Sequence, residues 1–172
     1  MKKEALIFRC KKGNTVSDTI SVVVMLLIFA FAGIFGKYAF NEINDDIQAD
    51  SDMTNKTKTV VGDIHARSGS FFDGLFIFFL VLIWALMLVA SFVVDSHPIF
   101  FVFALILMIF VFFVAAELGN AYEEVTDDSD LAPVVASDFP MTDWIMSHFL
   151  LVAIVIGFSI IIVLFGKSRF KE

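Results

Sequence analysis

The chain has 172 residues, of which 59% are hydrophobic and only 18% charged, with 22 phenylalanines, one cysteine and a formal net charge of −7. Soluble chains are about 45–50% apolar and about 25% charged, and one core in a chain this short cannot hide the excess, so a bilayer must act as part of the solvent. This excludes a soluble enzyme, an extracellular disulfide scaffold and a disordered acidic tail, and the missing basic footprint excludes nucleic acid as a partner.

Residues 1–19 form a basic juxtamembrane segment carrying Lys2, Lys3, Arg9, Lys11 and Lys12. It is too charged, and its apolar run too short, for a cleaved secretory signal. Lys11-Lys12-Gly13, with Asp18 five residues on, resembles a prepilin-type leader; the plainer reading is a basic flank whose Ser17 or Asp18 caps the first helix. Cys10 is either acylated beside the membrane or an inert thiol.

Four stretches satisfy the length of about 20 apolar residues that a helix needs to cross a bilayer. They are residues 20–40, interrupted only by Lys37, then 74–94, 99–117 and 145–165. A soluble core helix would place polar residues every third or fourth position; these stretches do not. Residues 41–73 form a polar loop into which the first helix extends, turning near Asn55. Residues 95–98, Asp-Ser-His-Pro, make a tight turn, 118–144 an acidic loop that begins as a helical continuation of the third span through Val125 and then breaks, and 166–172 a basic end. Asp138, Pro140 and Thr142 mark a helix start ahead of the fourth span. The fold class is therefore all-α, an integral membrane protein with four transmembrane helices.

Positive residues stay on the cytoplasmic side. Besides the basic N-terminal segment, Lys167, Arg169 and Lys171 follow the last span, whereas residues 117–144 hold no Lys or Arg. Both termini are expected on the cytoplasmic-equivalent side and both long loops outside. Tyr38, Tyr122 and Trp144 fall near the outer interface, where amphipathic rings prefer to sit.

Ionisable residues inside a bilayer are costly and usually functional. Lys37 is close enough to a span end to snorkel outward, Asp73 sits at the entrance of the second span, and His148 lies one turn into the fourth. No span carries a central acidic residue or an internal proline, so no broken helix is expected and a carrier built on half-helices is disfavoured. Neither His65, His97 and His148 nor the acidic runs Asp45, Asp46, Asp50, Asp52 and Asp127, Asp128, Asp130 follow a metal-ligand pattern. Asn55-Lys56-Thr57 is a glycosylation sequon, with meaning only in a secretory pathway. No catalytic residue, cofactor or metal is expected, and the chain reads as a non-enzyme.

Small residues four apart let helix backbones approach in lipid. Ala32 with Gly36, Ala115 with Gly119, and Ala153 with Gly157 are the candidate packing pairs. The second span has none; crowded with bulky residues such as Phe78, Phe79 and Leu82, it reads as the most lipid-exposed helix or as one packed on the third. Mid-span Trp84 needs an acceptor for its indole N–H. Ser91 and Ser159 are the only trace of a polar stripe in these spans that a pore would require. In the acidic loop, Glu123, Glu124, Asp127 and Asp128 are candidates for docking a basic partner, the alternative being that they only keep the loop solvated.

The layout of a basic amino end, a hairpin from DSHPIFF to GNAYEE and a last helix ending GKSR resembles the small multi-pass membrane proteins of tailless, membrane-containing phages and related viruses. The resemblance implies a structural role tying lipid to capsid proteins and no catalytic residues, with a virion internal membrane or the host cytoplasmic membrane as the expected location. The expected partners are the bilayer and other membrane or capsid proteins in a homo- or hetero-oligomeric assembly. The alternatives are a pore or holin-like channel subunit and an accessory subunit of a larger cellular membrane complex.

Overall fold

The structure, a computed structural model, describes residues 15–93 and 98–169. The basic segment with Cys10 and the leader-like Lys11-Lys12-Gly13, the turn around His97, and the last three residues lie outside the described residues. The described residues form six helices: α1 Thr15–Ala49, α2 Asn55–Val93, α3 Pro98–Thr126, α4 Ala132–Asp138, α5 Pro140–Ser147 and α6 Phe149–Arg169.

The long helices alternate in direction. The α1–α2 hairpin is closed by reciprocal bonds, Gln48 Nε2 donating to the Lys58 carbonyl at 2.9 Å and Lys58 Nζ to the Gln48 carbonyl at 2.7 Å. At its tip the Asp52 N–H bonds the Asp50 carboxylate at 2.8 Å, and Thr54 Oγ1 caps α2 by accepting the Thr57 N–H at 3.2 Å. The polar loop expected at 41–73 is thus two helical extensions joined by a short turn. We call the end carrying this turn and α4–α5 the outer end.

Among the described residues, three helices are long and apolar enough to cross a membrane, Val24–Ala49, Asn55–Phe92 and Val102–Thr126, and a fourth crossing exists if the bent pair Pro140–Ser147 and Phe149–Leu164 is one span. That pair bends by 75°, contrary to the unbroken helix expected over 145–165. The break needs no proline. His148 leaves helical geometry at φ −111°, ψ 26°, and its Nδ1 bonds the Trp144 carbonyl at 2.9 Å. The corner rests on Gly119 of α3, where a Cβ would stand 3.4 Å from the Met146 carbonyl oxygen.

Burial is arranged inside out. Met25 (70% exposed), Ile109 (69%) and Ile162 (68%) face outward, while Lys37 (2%), Asp73 (6%) and Thr142 (1%) are buried. Such a surface suits hydrocarbon and not water. The core sits toward the outer half, where Leu27, Ile34, Phe76, Ala115, Tyr122, Val135, Phe139 and Met146 pack together. α3 runs on to Thr126, in line with the helical continuation expected through Val125, and α5 starts at Pro140 where a helix start was expected. The rest of the acidic loop expected at 118–144 is more structured than a connector, with α4 and α5 packing Leu131, Val134, Phe139 and Met146 beneath the outer end as a cap. The second span lies against α1 and α6, with almost no direct packing on α3 along their described lengths.

Candidate functional site at the outer end

Lys37 does not snorkel. Its ammonium donates to the His65 carbonyl at 2.6 Å and Ser68 Oγ at 3.3 Å, and lies 3.7 Å from Asp138 Oδ1. Three N–H donors meet three acceptors, and the contacts join α1 to α2 and to the end of α4. Gly69, one residue past Ser68, makes the junction possible, because a Cβ there would collide with the Asp138 side chain. One turn further out, His65 Nε2 donates to Asn41 Oδ1 at 2.7 Å.

Asp73 is the second strut. Its Oδ1 accepts the Thr142 N–H and hydroxyl, both at 2.7 Å, and its Oδ2 accepts the Met141 N–H at 3.3 Å. These N–H groups belong to the first turn of α5, which has no side-chain cap of its own from Phe139. A carboxylate from α2 thus satisfies donors that a helix start leaves open, and its charge sits at the positive end of the helix dipole. Trp84 finds its acceptor in Ser159 Oγ at 2.9 Å, joining α2 to α6. Ser159 donates onward to the Ile156 carbonyl and Ser91 to the Met87 carbonyl, so both hydroxyls of the expected polar trace serve their own helices.

Between α3 and α5, the buried Tyr122 hydroxyl makes no hydrogen bond of good geometry among the described residues, but it interacts with the Asp143 carboxyl. Partly buried Asp143 lies close enough to feel it. Burial holds the Asp143 carboxyl above its ordinary range; the Tyr122 hydroxyl pulls it down, and the charges of Glu123 and Asp127 push it up further.

The four candidate docking residues are all exposed at this end. Glu123 and Glu124 project from the last turn of α3, and Asp127 follows directly. Asp128 has a local duty as well: its carboxylate accepts the Asp130 N–H at 2.9 Å and its carbonyl accepts the N–H groups of Leu131 and Ala132. Among the described residues, no group of three His, Cys, Asp or Glu side chains could hold a metal.

Two of the three small-residue pairs lie where α3 meets α6. Ala115 is fully buried, Ala153 packs on the core, and Gly119 faces the α5–α6 corner. A Cβ on Gly157 would stand 2.6 Å from Met108 Sδ and 3.3 Å from Phe112. Ala32 and Gly36 are exposed, and nothing lies within 4 Å of a Cβ built on Gly36, so this pair is unused among the described residues. Sequence reasoning missed Gly33, where a Cβ would stand 3.3 Å from the Phe139 ring, and Gly69. Comparison with known protein families, curated proteins and solved structures found no match.

Proposed function

We propose that this protein is a non-enzymatic assembly component of a membrane, anchoring lipid to a basic partner protein through its acidic outer end. The observation that carries the reading is how the charges divide. Buried Lys37 and Asp73 are spent on joining helices, whereas Glu123, Glu124 and Asp127 are exposed at the end of α3, beside the packed cap. A rigid, single-sign surface steers an oppositely charged partner and fixes its register. By its resemblance in layout, the setting we propose is a virion internal membrane and the partner a capsid protein; the orientation we propose places the outer end away from the basic termini.

The test replaces Glu123 and Glu124 with Gln and Asp127 with Asn, sparing Asp128 because of its structural bonds. Insertion and helical content should be unchanged, while crosslinking to the partner in native membranes should fall. Raising salt should act on the unmodified protein in the same direction, since surface charges are screened beyond about 8 Å at physiological ionic strength. Crosslinking indifferent to both changes defeats the reading. Ion conductance of the purified protein in vesicles would favour a channel subunit instead, and copurification with a resident membrane complex an accessory role.

A further inference from the structure

Between α2, α3 and α6 lies an apolar cavity of about 260 Å³. It exists because α2 and α3, consecutive in the chain, both pack on α6 but hardly on each other. Along α6 its lining runs from Phe149 to Leu164, about 22 Å at about 1.5 Å per residue. Leu80, Trp84, Met108 and Ile156 form its middle, and its one polar side-chain group, the Trp84 N–H, is already donated to Ser159. Water needs two or more polar partners to occupy a cavity; none is offered.

Shape and size limit the occupant. An apolar cavity of about 150 Å³ takes a benzene-sized guest, so the space inside this partly open one matches a chain of roughly ten carbons. Its length along the bundle suits an extended chain over a compact ring system. Phe149 and Leu26, both part of the core, line it, and the described parts of α2 and α3 leave a gap through which a guest enters from the bilayer. We propose that this cavity binds one acyl chain of a phospholipid.

The chain contains two tryptophans, so a Trp144→Phe variant leaves Trp84 as the reporter in the cavity wall. The full-length variant in detergent is titrated with phosphatidylcholine carrying a brominated acyl chain, a contact quencher of indole fluorescence. Quenching should saturate and be reversed by the same phospholipid without bromine. Ala104→Phe, which fills the cavity from α3, should weaken apparent binding roughly tenfold or more, whereas Ile106→Phe on the outward face should leave it unchanged. Should Ala104→Phe lose helical content, Ala153→Leu fills the cavity from α6 instead and should have the same effect. Quenching that rises with bromolipid content without saturating, or that is equal in the filled variants, overturns the proposal.

Discussion

Lys37 shows how a single charge is made tolerable in an apolar bundle. Breaking a buried pair by removing one partner costs more than the pair contributes, because the other is left unpaired. Lys37→Ala should therefore destabilise the detergent-solubilised protein by about 3 kcal/mol, and Lys37→Met combined with Asp138→Leu should recover most of that loss, both read from denaturant unfolding. A double variant no better than the single one would show that Lys37 acts by filling space. Asp143 yields a pH dependence of definite sign. With its carboxyl raised in the folded state above the ordinary 3.8, the folded protein holds more protons than the unfolded one in the window just above that value. This contribution to stability is present at the acid end of the window and is lost as pH rises through the folded-state value. Asp143→Asn should flatten that part of the thermal-stability profile; an unchanged slope would assign it to other groups. At this scale the sequence was partly legible. Ala30, Ile34, Lys37, Asn41 and Asn44 recur at helical spacing, so Lys37 stood in register with a buried face. Its acceptors were not legible: the His65 carbonyl and Asp138 meet it only through the packing of other helices.

Among the elements, the tightest approach among the small-residue pairs is between α3 and α6. Gly157→Leu would drive a branched side chain into Met108 and Phe112, and overpacking of this kind costs about 1–3 kcal/mol. Leu82→Ala, on the outward face of α2, should cost less, since lipid replaces the lost side chain. Comparing the two in thermal unfolding tests the assignment of faces; equal losses would count against it. The spans were legible because hydrocarbon imposes one length and one composition on any helix that crosses it. The cap over residues 126–148 was not. Its acidic residues look like a solvated connector, and the apolar positions beneath them, Leu131, Val134, Val135 and Phe139, follow no long period because two short helices supply them. The corner at His148 was hidden for a related reason: tertiary contact with Gly119 bends the chain where no proline announces it.

At the scale of the whole molecule, the helices form a bundle whose outward surface is apolar and whose polar struts gather toward one end. Lys37 ties α1 to α2 and α4, and Asp73 ties α2 to α5. The hairpin tip and the acidic cap thereby form one end of one body, so both must emerge on the same side of the membrane. Residues Asp52 and Asp130 are exposed at that end. Accessibility of Asp52→Cys and Asp130→Cys, each in a Cys10→Ser background in sealed vesicles, is therefore the most direct measurement. Both should react with an impermeant maleimide from one side only, the same side for each, and opposite to the side from which Lys171→Cys reacts. Labelling of Asp130→Cys from the side that labels Lys171→Cys, or of Asp52→Cys and Asp130→Cys from opposite sides, would contradict the account.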